Sequence, residues 1–278
     1  AIQMNAGEVF ICAGVESMSR VTMGGFNPMP NPALLESNPA AYISMGETAE
    51  NVGKEYNIGR EEQEQFAVLS QQKAADAQSL GKLEQEIVPI QMNGLTVDTD
   101  GCLRPGTSAE DLAGLKLAFD ENGSVTAGTS SPLTDGAAAT LVCSEAYAQK
   151  NGLEPIARIK SIAVSGCKPE TMGLGPIFAS RKALDRAELS ADAIDVVEIN
   201  EAFATQSIAS VRDLGLNIDK VNIDGGAIAI GHPLGATGAR ITGKAAQILK
   251  REDGRYALST QCIGGGQGIA TVMETVGV

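Results

Sequence analysis

The chain has 278 residues, a length that allows one large or two modest domains with a sizeable buried core. Hydrophobic residues make up 43% and charged residues 20%, a composition typical of a folded globular protein that excludes general disorder. Asp and Glu outnumber Lys and Arg by 34 to 21, and the resulting net charge of −13 makes nucleic acid and anionic membranes poor partners.

Targeting and metal-binding signals are not apparent in this sequence. The first residues lack the charged start and apolar run of a secretion signal, and no apolar run has the length of a membrane span. The cysteines are widely spaced, without a CxxC pair or a Cys/His cluster, so we predict no disulfide, no metal and a cytoplasmic location. They are Cys12, Cys102, Cys143, Cys167 and Cys262.

Residues 1–22 predict a helical turn followed by one short strand. The chain opens with Ala1 rather than Met, inside what is typical of the last turn of a helix that Gly7 ends. A strand is expected over Glu8–Cys12, and a loop is expected over Gly14–Ser19. Because the sequence starts within a helix, we expect this chain to be a fragment of a longer protein.

Residues 23–123 differ from residues 1–22 in composition and in the spacing of their apolar residues. The Gly-, Pro- and Asn-rich stretch over residues 24–32 cannot form regular structure. Apolar residues then recur every three to four positions from Phe66 to Leu80, which predicts an amphipathic helix ending near Gly81. A further loop is predicted over residues 93–108.

Residues 124–278 alternate predicted strands with predicted helices. Such alternation predicts a mostly parallel sheet that helices cover on both faces. A long helix is expected over Pro233–Leu249, because proline is favoured in a first helical turn. The other elements are strands over 137–142, 158–164, 195–199, 256–261 and 269–274, and helices up to Lys150, over 179–187 and over 202–214.

Three clusters near predicted strand or helix ends carry groups that could do chemistry. Asn200 follows a predicted strand, where ligands bind in open α/β sheets, although an asparagine there also caps helices. His232, the only histidine, lies in the glycine-rich segment Gly225–Gly238 and is either ligand-facing or a capping or core residue. Cys262 precedes three glycines whose N–H groups could hold an oxyanion and lower the thiol pKa, although a small buried hydrophobe would fit the same turn.

A fourth cluster, Ala127–Gly136, gathers small and hydroxyl residues before a strand, which suits either a narrow channel or a polar turn. Nucleotide binding is not supported. Gly226 and Gly231 have the spacing of a phosphate loop, but His232 stands where that motif needs Lys. The dinucleotide fingerprint GxGxxG and the hydrolase elbow GxSxG are also absent.

These motifs, in this order and at this spacing, resemble the thiolase family. The matching segments are Asn200-Glu201-Ala202-Phe203, Gly225–Arg240, Cys262–Gly268, Gly14–Met18 and Val125–Ala138. The resemblance covers essentially the whole chain and implies an α/β fold of two βαβαβαββ halves in a layered αβαβα sandwich with an inserted loop domain. Residues 1–22 and 124–150 would be the remnant of the N-terminal half, 23–123 the loop domain and 151–278 the C-terminal half.

The resemblance to thiolases also implies an activity. The chain would be an acyl-CoA:acetyl-CoA acyltransferase that cleaves a 3-ketoacyl-CoA by thiolysis or runs the reverse Claisen condensation. Coenzyme A would act as a substrate, with no separate cofactor. Acyl-CoA and CoA would be its small-molecule partners, and a homodimer or homotetramer is expected.

The motif matches imply a role for each candidate residue. Cys262 matches the acid/base that moves the C2 proton of acetyl-CoA, and Gly264 matches a backbone donor of a second oxyanion hole. His232 matches a donor to the thioester oxygen, where Asn200 would hold a water molecule. The matched substrate contacts are Ser131 for the pantetheine arm, Arg104 for the adenosine end, and an apolar lining of Met45, Phe119, Ala127, Ala202 and Phe203.

One residue of the family's pattern has no counterpart here. The acylated cysteine of thiolases lies in a Cys-x-Ser-Gly segment, and Cys12 belongs to a different motif. We therefore expect no thiolase turnover from this polypeptide alone, and the alternative function is a catalytically inactive module for CoA binding or assembly. Ser44, where short-chain biosynthetic thiolases tend to have histidine, and the tail Gln267–Thr271 favour the degradative branch.

Overall fold

The structure, a computed structural model, describes residues 1–276, so the last two residues of the predicted C-terminal half lie outside it. The strands are β1 (Val9–Ser17), β2 (Ile90–Met92), β3 (Leu95–Val97), β4 (Asp135–Cys143), β5 (Ala157–Gly166), β6 (Val196–Ile199), β7 (Tyr256–Ile263) and β8 (Gln267–Thr275). The helices are α1 (Pro32–Ser37), α2 (Met45–Glu55), α3 (Arg60–Ser79), α4 (Ala109–Ala113), α5 (Glu145–Lys150), α6 (Gly175–Ala187), α7 (Ala204–Leu214), α8 (Ala227–Ile230) and α9 (Thr237–Arg251). None of the helices within residues 1–276 is long and apolar enough to cross a membrane.

The main sheet has the strand order β5-β8-β7-β6. Only β6 and β7 run parallel, whereas β8 is antiparallel to both of its neighbours. A parallel bridge between Val197 and Val221 adds the beginning of a further strand beyond β6. The prediction of a mostly parallel sheet is therefore wrong. The turn that joins β7 to β8 is only three glycines long, and a connection this short permits only an antiparallel pair.

Helices cover both faces of this sheet, as predicted. On one face α6 buries Ala183 and Leu184 against Leu258 of β7. On the other face α9 buries Ile248 and Leu249 against residues of β6, β7 and β8. Each fully buried Leu or Ile side chain contributes about 1.5–3 kcal/mol, so the two layers fix the sheet from both sides.

A second sheet lies on the far side of α9. It consists of β1 and β4, paired antiparallel, with α9 packed between it and the main sheet. β1 runs to Ser17, well beyond the predicted end at Cys12. Gly14, which was predicted to begin a loop, lies within the strand. A Cβ on Gly14 would clash with the carbonyl of Gly235, so this glycine permits close packing of β1 against the turn before α9. The outer face of this sheet is apolar and exposed at Ile11 and Leu141.

The amphipathic helix predicted near residues 66–80 is confirmed as α3, but its buried face differs from the prediction. Ala67, Ala74 and Ala77 are buried, whereas Leu80 is 69% exposed. Gly225 approaches so closely that a Cβ on it would lie 2.5 Å from the Cβ of Ala74. Small side chains are therefore what this contact requires, and the larger apolar residues lie to the side of it.

The helix predicted to begin at Pro233 begins instead at Thr237. The carbonyl of Pro233 accepts the N–H groups of both Ala236 and Thr237 at 2.9 Å, so residues 233–236 form a turn that leads into α9. This turn places His232 at the edge of the main sheet.

Candidate active site

Asn200 and His232 meet at the carboxyl end of β6, and Cys262 lies near the carboxyl end of the neighbouring strand β7. Asn200 directly follows β6, and its N–H donates to the carbonyl of Thr260 on β7 at 3.0 Å. Cys262 lies two residues further along β7. The Nδ2 of Asn200 is 3.2 Å from the Nε2 of His232. The carboxamide and the imidazole are therefore in contact, with the thiol on the adjacent strand of the same edge.

Hydrogen bonds fix the orientation of the His232 ring. Its Nδ1 is 2.7 Å from the Oγ1 of Thr237, and that hydroxyl donates its own proton to the carbonyl of Pro233 at 2.9 Å. The hydroxyl must then accept from Nδ1–H, which leaves the Nε2 lone pair to accept from Asn200. The N–H of His232 donates to the Oγ1 of Thr134 at 3.0 Å. Backbone and ring are thus both anchored.

His232 is uncharged in this setting. Burial, together with the positive charge of Arg240, lowers the pKa of the imidazole to about 4. At neutral pH the ring is therefore a neutral base with its free lone pair on Nε2, the atom that faces Asn200.

Glu201 anchors the loop that carries Asn200. Its carboxyl group accepts from the hydroxyl of Ser70 at 2.6 Å, from the Nδ2 of Asn222 at 2.7 Å and from the N–H of Ile228 at 3.2 Å. Burial raises the pKa of Glu201, and these hydrogen bonds oppose that shift. Within the part of the chain that the structure describes, the buried Oδ1 of Asn200 has no hydrogen-bond partner, so it is available to a water molecule.

The Cys262 thiol lies against an apolar cluster. It packs on buried residues that include Val125, Ala202 and Phe203. Burial raises its pKa to about 12, and the nearby Cys167 thiol adds to the shift. The expectation that the three glycines lower this pKa is wrong, because loss of water around the sulfur outweighs the backbone hydrogen bond of Cys262 itself.

Five of the predicted substrate contacts belong to the apolar cluster around Cys262 or contact one of its members. Ala202, Phe203 and Met45 are part of that cluster. Phe119 packs edge-on against Phe203, with ring centroids 5.8 Å apart. The N–H of Ser131 donates to the carbonyl of Ala202 at 3.0 Å.

The predicted positions Gly264, Ala127 and Arg104 are all exposed. A Cβ on Gly264 would lie 3.9 Å from the methyl group of Met45, so this glycine borders the cluster. Ala127 begins a short 3₁₀ turn between Val125 and Ser131. The N–H of Arg104 donates to the Oε1 of Gln71 at 3.0 Å, on the buried face of α3. The roles of these residues stay predictions.

Sequence reasoning missed the residues that hold the site in place. Thr237 and Thr134 fix His232, but hydroxyl residues at these spacings have no distinctive pattern. The sulfur of Cys102 lies 4.0 Å from the Oγ1 of Thr134, close to Gly231. Among residues 1–276 no group of three or more His, Cys, Asp or Glu side chains is arranged to hold a metal ion.

Replacing Thr237 with Val should slow any reaction that uses His232 by roughly tenfold, because the isosteric side chain leaves Nδ1–H without its acceptor. The measurement is the rate of C2 proton exchange in acetyl-CoA, compared with Thr242→Val, which alters a hydroxyl further along α9 whose partner is Ser259. Equal rates for the two variants would contradict a role for Thr237 in orienting the ring.

The layered fold, with Asn200, His232 and Cys262 at one edge of its main sheet, is typical of one family. The chain belongs to the thiolases. The model of the thiolase N-terminal domain matches residues 1–146, and the model of the thiolase C-terminal domain matches residues 153–275. Together they cover nearly the whole chain, and the predicted family and fold class are confirmed. The domain boundaries stay a prediction. They divide the chain into an N-terminal half in two parts (1–22 and 124–150), a loop domain (23–123) and a C-terminal half (151–278).

The names of individual relatives describe enzymes that act on coenzyme A thioesters. The chain is 48% identical over 285 residues to the 3-ketoacyl-CoA thiolase of Alcanivorax borkumensis, covering 99% of this chain and 73% of that protein. It is 46% identical to the 3-oxoadipyl-CoA/3-oxo-5,6-dehydrosuberyl-CoA thiolase of Escherichia coli, covering 99% and 75%. The structure of human mitochondrial 3-ketoacyl-CoA thiolase in complex with CoA superposes with a TM-score of 0.90 at 40% identity, covering 99% and 73%.

Proposed function

We propose that this chain performs the C2-proton transfer of a thiolase reaction, with Cys262 as the acid/base. In thiolysis the family's nucleophilic cysteine bonds to C3 of a 3-ketoacyl-CoA and takes the acyl group as the bond between C2 and C3 breaks. The enolate of acetyl-CoA that leaves takes a proton at C2 from the Cys262 thiol. In the reverse condensation the Cys262 thiolate removes that proton. The observation that supports this most directly is the 3.2 Å contact between Asn200 and His232 beside the thiol.

The enolate carries its negative charge on the thioester oxygen, and donors aimed at that oxygen lower the barrier. His232 rests with a lone pair on Nε2, so it first accepts a proton from the nucleophile and then presents Nε2–H to the oxygen. The unpaired Oδ1 of Asn200 suits a water molecule that donates to the same oxygen. Gly264 is proposed to offer its N–H in a second oxyanion hole at the acylation step.

The protonation state of Cys262 suits the cleavage direction. Because burial raises its pKa to about 12, the thiol is the resting form, and a thiol is what must donate to the enolate carbon. The thiolate that results is a strong base and can take the proton of an incoming CoA thiol. This supports the degradative bias expected from the sequence.

The acylated nucleophile is proposed to be none of the five cysteines in this chain. Cys12 and Cys143 lie on β1 and β4 in the second sheet. The sulfur of Cys102 lies 4.0 Å from the Oγ1 of Thr134, which binds the backbone N–H of His232 rather than its ring. We therefore propose that residues 1–278 alone exchange C2 protons without completing thiolysis.

Coenzyme A is a substrate in the thiolase family, which needs no separate cofactor. Ser131 is proposed to contact the pantetheine arm and Arg104 the adenosine end, with Met45, Phe119, Ala127, Ala202 and Phe203 as the apolar lining. A homodimer or homotetramer and a cytoplasmic location stay predictions.

Two assays on the native chain test this proposal. Incubation with acetyl-CoA in D₂O should place deuterium at C2, while acetoacetyl-CoA and CoA together should give no thiolysis and no acyl adduct by intact mass. An adduct on any of the five cysteines would refute the missing-nucleophile proposal. Exchange no faster than in buffer would refute the active-site proposal.

The inactive CoA-binding or assembly module is the second candidate. The high pKa of Cys262 favours it, because a thiol that stays protonated is a poor base toward acetyl-CoA. This candidate requires tight CoA binding with no C2 exchange, so the same deuterium assay separates the two functions.

A further inference from the structure

One buried carboxylate joins the two segments that carry most of the predicted substrate contacts. Glu50 lies in the middle of α2 and is 3% exposed. Its Oε1 accepts the N–H of Val125 at 2.9 Å. Its Oε2 accepts the N–H of Ser124 at 2.9 Å and the Ser124 hydroxyl at 3.3 Å. All of these partners are uncharged and belong to one short stretch of chain.

The fit around this carboxylate is tight. A Cβ on Gly123 would clash with the Glu50 carboxylate, so the chain can pass only with a glycine there. The Nε2 of Gln63 on α3 donates to the Ser124 hydroxyl at 2.9 Å and supports it from the other side. The stretch over residues 123–125 is therefore held by α2 and α3 together.

This stretch determines where the predicted substrate contacts lie. Val125, which Glu50 holds, is fully buried in the apolar cluster that contacts Cys262. A bridge between Leu117 and Thr126 encloses Phe119, and Ser131 follows five residues later. Met45 stands on the first turn of the helix that carries Glu50.

We propose that Glu50 is a positioning residue for coenzyme A: through Ser124 and Val125 it holds Phe119, Ala127 and Ser131 at a fixed distance from Met45. The inference rests on the proposed function, because these contacts are assigned to the pantetheine arm there. A site held by buried hydrogen bonds is already in its binding conformation, so CoA binding orders little of the chain.

Replacement of Glu50 with Gln tests this. The side chain keeps its size, but an NH₂ group then faces backbone N–H donors that need acceptors. The Kd for CoA, measured by titration calorimetry, should rise about tenfold. Hydrogen exchange of the Ser124 and Val125 amides should quicken by at least about tenfold, with exchange in β7 unchanged.

The matched control is Glu47→Gln, the same change on the same helix. Glu47 is exposed and caps α2 by accepting the N–H of Ser44, a contact that Gln can keep. Its Kd for CoA should stay within about twofold of the native value. If the Glu50→Gln chain does not fold, Glu50→Asp retains the charge but withdraws the carboxylate by one methylene, and it should weaken CoA binding in the same direction.

The two proposals fail in different ways. Native-like CoA affinity and native-like amide exchange in Glu50→Gln would overturn the positioning role of Glu50. A native chain that binds no CoA would contradict the proposed function instead. In that case faster exchange confined to residues 117–131 still supports the positioning role of Glu50, and unchanged exchange there overturns it.

Discussion

Cys262→Ala is expected to slow deuterium exchange at C2 of acetyl-CoA by about a thousandfold, within the usual range for removing a general acid or base. The side chains that pack around the thiol, those of Val125, Ala202 and Phe203, are apolar and have no proton to transfer. With Ala in its place, no side chain of that cluster can carry the proton. Exchange is followed by mass spectrometry of the recovered thioester.

The matched control is Cys167→Ala, since this second thiol lies close enough to raise the pKa of Cys262. It should leave exchange within about threefold of the native rate, because burial raises the pKa of Cys167 and this thiol is therefore uncharged at neutral pH. The exchange rate of the native chain should also rise with pH through the alkaline range, as the thiolate fraction grows toward a pKa of about 12. Equal losses in the two variants, or a flat pH profile, would contradict the acid/base role.

The reactive residues could be predicted from sequence because each stands at a recognisable position. Asn200 follows a buried strand, and Cys262 ends another strand before three glycines. The carboxyl ends of parallel neighbours meet at one edge, which brings these residues together. His232 was identifiable from its place in a glycine-rich turn, although the helix after it starts later than expected.

The supporting residues could not be predicted in the same way. Glu50 lies in a helix whose sequence, Met45–Glu55, is typical of a solvent-facing segment, and only the tertiary contact with Ser124 and Val125 shows that it is buried. The buried face of α3 consists of alanines and polar residues such as Gln63 and Ser70, and at Ala74 the close approach of Gly225 requires a small side chain. Strand direction around β8 depends on the length of one turn rather than on the alternation of helices and strands.

His232→Ala is expected to slow C2 exchange by about tenfold to a hundredfold, because the Asn200 carboxamide that holds the proposed oxyanion water loses the acceptor that orients it. The substitution removes Nε2 and leaves the Nδ2 group of Asn200 without its acceptor at 3.2 Å. The reduced rate should appear in the maximal exchange rate at saturating acetyl-CoA, because the enolate is stabilised more than the ground state. A change confined to the affinity for acetyl-CoA would contradict this role.

The same variant gives a second, independent readout through the pH dependence of stability. The folded-state pKa of His232 is about 4, below the ordinary value of 6.5, so between these values the unfolded chain binds a proton that the folded chain does not. The stability that His232 contributes is therefore fully present above pH 6.5 and is lost as the pH falls toward 4, by about 3 kcal/mol. Urea unfolding from pH 7 to pH 4 should show this loss in the native chain, and the difference between the native chain and His232→Ala should narrow across that window. A constant difference at every pH would mean that the ring titrates normally, and the lowered pKa inferred for His232 would then be wrong.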